Sequence, residues 1–275
     1  MIRRHLILPD RGVAIVNTDV HGNMEDFARL EAIFREERAK EPETHWVILG
    51  DVVHGPDERA RTDEPELYGY EDGSMQIVDR IRALREEARE HVHFVLGNHD
   101  HGHVGGHHTQ KFYEDEVEAL ESKLSTEERA RLHELFGDAL LAVAAPCGVL
   151  MTHGAPDAAF TNLAFLDEIP LSVREMKYAH RIVLRSLLTS YGQPNDVCEK
   201  MLAQVSESSG LSLGVVVHGH DRDPSGFFRE GDHQVVPVIF GAPKDKKRYA
   251  RLDLAARYAT AADLREDHEI RLLHA

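Results

Sequence analysis

The chain has 275 residues, 42% hydrophobic and 29% charged, with a net charge of −16. That is enough apolar material to fill a core and argues for one large α/β domain over residues 1–275 rather than a disordered chain. So acidic a balance speaks against non-specific nucleic-acid binding, which needs basic surface to displace counterions, and the longest apolar runs fall far short of the ~18–20 residues of a membrane span.

In chain order, Gly12–Asp19 carries the apolar run Val13–Val16 and predicts a buried strand that ends at Asp19-Val20-His21-Gly22-Asn23. Asn23 is a helix N-cap with Asp26 three residues on, and Phe27, Leu30, Ile33 and Phe34 recur at helical spacing. His45–Leu49 is a second strand, ending at Gly50-Asp51. Residues 55–73 read as a polar surface insert, and Met75–Arg89 as a helix through Ile77, Ile81 and Leu84. Val92–Leu96 is a third strand, ending at Gly97-Asn98-His99-Asp100. Residues 101–110 form a second insert, an exposed His-rich loop at the rim. Lys111–Phe136 reads as helical, Leu140–Ala145 and Gly148–Thr152 as a hairpin leading to His153-Gly154, and Leu163–Leu188 as mostly helical. Asp196–Val205 is a helix, and Leu213–Val217 a strand ending at His218-Gly219-His220. Val235–Phe240 and Tyr249–Leu254 are final strands, with Lys244–Arg248 between them as a solvated basic turn.

No apolar signal-peptide core follows the start, where His5, Asp10 and Arg11 intervene, and two cysteines give no disulfide framework. A cytoplasmic protein is expected, with Cys147 and Cys198 as packing residues. The unusual count is 19 histidines, seven of them between His91 and His108, which raises a metal hypothesis.

Five strand ends deliver Asp19 and His21, Asp51, Asn98 and His99, His153, and His220. Open α/β sheets bind ligands at the carboxyl ends of their strands, so these loops can converge. A carboxylate bridges two cations through its two oxygens, and imidazoles and an amide carbonyl fill further positions. Mixed N and O donors without thiolate suit manganese, iron or zinc. Two such ions clamp a phosphoryl group and lower the pKa of a bridging water.

In Asp19-x-His21, Gly50-Asp51, Gly97-Asn98-His99-Asp100, His153-Gly154 and Gly219-His220, in that order over roughly residues 13–254, the chain resembles the calcineurin-like metallophosphoesterase superfamily. Lys111-Phe112-Tyr113, the segment Arg185–Gly192, and Gly226-Phe227-Phe228 with Ile239–Pro243 resemble its phosphoprotein-phosphatase branch. The resemblance implies a two-sheet β-sandwich flanked by helices. It places Asp19 and His21 on a first divalent ion, Asp51 between two, and Asn98, His153 and His220 on the second. Manganese is expected, with iron and zinc as alternatives. His99 becomes the general acid, and Arg185 a clamp on phosphoryl oxygens. Asp100 either orients an imidazole or caps the following helix. His218 supports the centre or touches phosphate.

The protein-phosphatase pattern continues Gly-Asp-x-x-Asp-Arg-Gly, and here it reads Gly50-Asp51-Val52-Val53-His54-Gly55-Pro56. An acid is replaced by His54 and a phosphate-binding arginine by Gly55, for which Arg59, Arg61 and Arg222 are the candidate substitutes. Arg222 also stands where much of the superfamily has a further histidine ligand. The function expected is hydrolysis of phosphomonoesters by a metal-bridging hydroxide, with a phosphorylated protein as substrate. A small phosphoester such as a nucleotide or dinucleoside polyphosphate, and a metal-stabilised module without turnover, are the alternatives.

Overall fold

In the computed structural model, which describes residues 3–274, each apolar run named above forms a strand. The strands are β1 (His5–Ile7), β2 (Val13–Asn17), β3 (Thr44–Ile48), β4 (Val92–Phe94), β5 (Ala142–Ala145), β6 (Val149–Thr152), β7 (Val215–His218), β8 (Phe227–Glu230), β9 (Gln234–Pro237), β10 (Arg248–Asp253) and β11 (Ile270–Leu272). One sheet has the order β11-β10-β2-β3-β4 and the other β1-β5-β6-β7-β9-β8. In the first, β2, β3 and β4 are parallel, with Val16 beside Val47 and Ile48 beside Phe94. In the second, β5 and β6 form the expected antiparallel hairpin and β6, β7 and β9 run parallel. The two-sheet α/β architecture is as the resemblance implied.

The period-two alternation of strand side chains sorts the residues into two apolar layers. Val16, Val47 and Leu49 pack with Val143, Met151 and Val217 in one. Their neighbours Ile15, Trp46 and Ile48 pack with Phe27 and Phe34 of helix α1 (Met24–Lys40) in the other. As expected, α1 starts at Asn23, whose side chain accepts the N–H of Asp26 at 3.1 Å. Cys147 and Cys198 are both buried and unpaired.

The differences from expectation lie where no periodic run exists. Strands β1, β8 and β11 are short, partly exposed and at sheet edges, so they carry no apolar signature. The insert at 55–73 holds two short helices, α2 (Glu58–Asp63) and α3 (Pro65–Tyr68), and α4 (Ser74–Ala88) follows it. After α5 (Asn98–His101), the stretch read as one helix from Lys111 divides into α6 (Glu116–Glu121) and α7 (Thr126–Gly137). Between 163 and 188 a 3-10 turn precedes α8 (Tyr178–Thr189), and α9 (Asn195–Ser209) is longer than its apolar run.

Two local readings are corrected. The His-rich loop is not wholly exposed: His101 and His103 are buried, bonded to the Leu171 carbonyl and to Glu121. The basic turn is not solvated throughout either, because Lys247 is buried against Asp26 of α1 and Arg248 opens β10.

Candidate metal centre

The carboxyl ends of β2, β3, β4, β6 and β7 meet at one edge of the two sheets and bring Asp19, His21, Asp51, Asn98, His99, His153 and His220 together. Backbone strain concentrates here. Among the described residues only five non-glycines have positive φ, and four are His21 (42°), Asp51 (51°), His54 (68°) and His220 (65°). Such conformations cost about 1–3 kcal/mol each and persist where the surroundings fix them. Glycines allow the loops to close: a Cβ on Gly97 would lie 2.2 Å from Asp51 Oδ1, and one on Gly219 would lie 2.4 Å from Asp19 Oδ2.

Asp51 is the hub. Its Oδ1 accepts the backbone N–H of His99 at 2.9 Å. Around Oδ2 stand His153 Nε2 at 3.4 Å, His21 Nε2 at 3.7 Å and His99 Nε2 at 4.0 Å. These separations are too long for good hydrogen bonds and suit donor atoms that share a cation. Two donor groups result, His21-Asp51-His99 and Asp51-His153-His220, with Asp51 in both. Asn98 Oδ1 lies 2.9 Å from His153 Nε2, and Asp19 Oδ2 accepts the His220 N–H at 3.0 Å.

The imidazoles are preset as ligands. His21 Nδ1 lies 3.1 Å from the Val53 carbonyl and His153 Nδ1 lies 2.6 Å from that of Leu49. A carbonyl only accepts, so both Nδ1 atoms carry the proton and both Nε2 atoms present lone pairs. Burial pushes the pKa of His21 well down, lowers that of His153, and takes that of His220 to about 2. Burial, then Asp19 and Asp100, push the Asp51 carboxyl well up. Neutral imidazoles beside crowded buried carboxyls are a donor set that fits divalent cations.

His99 lies against Glu116, the first residue of α6, which the sequence reading did not single out. Nδ1 is 2.8 Å from Glu116 Oε2, though not in hydrogen-bonding alignment. Burial is the largest influence on Glu116 and works to raise its pKa, but His99, Thr109 and His54 together outweigh it and draw the value to about 2. Nothing separates Glu116 from the acids of Glu114-Asp115-Glu116 in the bare sequence. Asp100 bonds backbone instead of an imidazole: Oδ2 accepts from Asp51 N at 2.7 Å and Gly97 N at 3.0 Å, and Oδ1 from Val52 N at 3.1 Å. It pins the second and third motif loops together.

A cleft of about 740 Å³ opens over this cluster, lined by Asp19, Asn98, His99, His220, Lys111 and Arg222, with Tyr68 and Phe240 in its walls. Arg222 reaches the Tyr68 hydroxyl at 3.3 Å. Arg185 lines an adjoining pocket that shares Asn98 and Thr109 with the cleft. His218 is fully buried, its Nδ1 3.0 Å from the Gly219 carbonyl. Arg59 and Arg61 pair with Asp63 and Glu71 in the insert. Lys111 enters the cleft instead, with Nζ 3.3 Å from His21 Nε2.

Residues 14–224 match the calcineurin-like phosphoesterase family. The chain belongs to that family. This phosphoesterase is similar in structure to a serine/threonine phosphatase from Saccharomyces cerevisiae with similarity to human phosphatase PP5, with TM-score 0.62 and 13% identity over 92% of this chain and 77% of that one. It is also similar to the cold-active protein-tyrosine phosphatase of a psychrophilic Shewanella species, with TM-score 0.57 and 12% identity over 93% and 78%. At such identities the likeness is one of fold. No curated protein matches the phosphoesterase by sequence. The family binds two divalent metals, and the two donor groups that share Asp51 fit that requirement. Among the described residues, no helix is long and apolar enough to cross a membrane.

Proposed function

We propose that the protein is a dinuclear metal-dependent phosphomonoesterase whose substrate is a phosphorylated protein. The observation that carries the dinuclear reading is the place of Asp51 in both donor groups, beside a cleft that Asp19, Asn98, His99 and His220 line. Asp19, His21 and Asp51 would hold one ion, and Asp51, Asn98, His153 and His220 the other. Manganese, iron or zinc bound there would neutralise phosphoryl charge and make water acidic enough to supply the nucleophile near neutral pH.

The remaining work falls to the chain. His99 Nε2, at 4.0 Å the farthest of the three imidazoles from Asp51 Oδ2, would stay off the ions and carry the proton that the departing oxygen needs. Glu116, kept ionised, stabilises that imidazole when it is charged and fixes its ring. Asp100 holds the loops of Asp51 and His99 in register through three backbone hydrogen bonds. Cationic side chains at the cleft offset the charge spread over the equatorial oxygens, as phosphoryl transfer demands. The exposed Tyr191 lines the cleft and offers an aromatic surface to a polypeptide that carries the phosphorylated side chain.

The test is hydrolysis by the manganese-loaded protein of p-nitrophenyl phosphate, phosphopeptides and a dinucleoside polyphosphate under one condition. Phosphopeptides are expected to give the highest kcat/KM. A preference for the dinucleotide would overturn the protein substrate, and two bound ions with no hydrolysis under manganese, iron or zinc would overturn catalysis.

A further inference from the structure

We propose that Lys111 is the residue that grips the phosphoryl group of the substrate, and the phosphate product after it, from the His21 side of the cleft. The proposal rests on the phosphoesterase reading above and adds to it a residue with which sequence reasoning associated no role.

Lys111 lies in the irregular stretch before α6, an exposed residue that lines the cleft and whose ammonium reaches His21. Nζ lies 3.3 Å from His21 Nε2 and 3.9 Å from the centroid of the Phe240 ring. That ring is itself fixed, buried against His21 at 4.2 Å and Tyr68 at 5.3 Å between centroids. The charge therefore has an aromatic face on one side and the donor cluster on the other. Among the described residues no carboxylate forms an ion pair with it. An ammonium is strongly hydrated, and the face of an aromatic ring offsets only part of the loss of that water. A lysine held in this way inside a cleft is a cation provided for an anion that comes and goes.

Charge counting identifies the anion. Asp19 and Asp51 contribute two negative charges and the ligating imidazoles of His21, His153 and His220 none, while a proton on His99 is matched by Glu116, so two divalent ions would leave the ligand set at about +2. A neighbouring ammonium is repelled by that centre unless an anion lies between them, and a phosphate dianion bridges the two positive groups. His21 Nε2, now in contact with Nζ, is also the atom offered to a cation. The ammonium must leave it when the centre is filled, and the four-carbon stem allows the short swing into the cleft.

The other cations are less well placed. Arg222 is engaged with the Tyr68 hydroxyl, and Arg185 lines the adjoining pocket. Position 55 has no room for a side chain, since a Cβ there would lie 2.8 Å from Asp72 Cβ.

The experiment uses the full chain loaded with manganese, as wild type, Lys111→Met and Lys111→Arg. It reads metal content by mass spectrometry, binding of inorganic phosphate by calorimetry, and KM and kcat on p-nitrophenyl phosphate. Lys111→Met should keep the wild-type metal content and bind phosphate about 10- to 100-fold more weakly, the scale of one charge-assisted hydrogen bond, with a matching rise in KM. Lys111→Arg should recover part of that affinity. If wild type binds phosphate and Lys111→Met binds it equally well, the role of Lys111 is overturned and the phosphoesterase reading stands. Loss of an ion from Lys111→Met would make Lys111 a support of the centre and overturn the proposal too. If wild type binds neither metal nor phosphate, the phosphoesterase reading falls and Lys111 with it.

Discussion

Glu116 Oε2 stands 2.8 Å from His99 Nδ1, so the acid behind this imidazole comes from the start of α6 and not from the loop after β3. The loop position nearest to that task holds His54, which stacks on His103 at 5.0 Å and whose pKa burial pushes down to about 3. His99→Asn should keep the wild-type metal content and lose about 10²- to 10⁴-fold in kcat, the usual scale of general acid–base catalysis. Glu116→Gln should lose less, and in kcat rather than KM, because it alters only the support of the ring. Wild-type turnover by His99→Asn on an aryl phosphate would show that no proton passes through this residue.

Asp100 receives three backbone N–H groups, two from the Asp51 loop and one from Gly97, and is itself fully buried. Asp100→Ala strands all three donors away from water, each at about 1–3 kcal/mol. A loss of about 3 kcal/mol or more in urea unfolding is expected, together with weaker metal binding as the Asp51 loop loosens. Asp100→Asn keeps acceptors and should fall between. Unchanged stability in Asp100→Ala would show that water replaces the carboxylate.

Lys247, Asp26 and His274 form a buried group that ties α1 to the loop before β10 and to the end of the described chain. Lys247→Met leaves the buried Asp26 carboxylate with His274 as its remaining partner, so it should cost about 3 kcal/mol, the low end for a broken buried pair. Lys247→Met combined with Asp26→Leu should recover much of that. Equal losses in the single and double variants, measured by denaturant melts, would contradict this.

Acid should weaken the fold through histidines remote from the cleft. His45 on β3 and His93 on β4 stack at 5.3 Å, and burial pushes their pKa values down to about 4 and about 3. A depressed folded value means that the unfolded chain takes the proton first as pH falls. Stability is therefore intact above about pH 6.5, declines from there toward the folded values, and levels off below them. His93 alone contributes a slope of up to about 1.4 kcal/mol per pH unit in that window. Replacing both by valine should flatten the pH dependence of urea unfolding between about pH 6.5 and 4. An unchanged slope would place the titrating groups elsewhere.

The central strands and the ends that carry Asp19, Asp51, Asn98, His153 and His220 were legible because each is a fully buried apolar run stopped by a polar residue. A strand covered on both faces leaves a continuous signature. The edge strands β1, β8 and β11 bury only part of their surface and leave none. Glu116 and Lys111 were not legible as site residues for a different reason. Glu116 is one acid in a run of three and Lys111 entered only as part of the Lys111-Phe112-Tyr113 resemblance, and it is the turn of the chain before α6 that directs one at His99 and the other at His21. Lys247 was read as solvated for the same cause, since a lysine shows no sign in sequence of the Asp26 that buries with it.

The most direct measurement is anomalous diffraction from crystals grown with manganese, on wild type and Asp51→Asn. Two peaks are expected in wild type, one beside His21 and one beside His153 and His220, with Asp51 between them, and loss of at least one in Asp51→Asn. A single peak, or two peaks that share no contact with Asp51, would contradict a dinuclear centre built on that carboxylate.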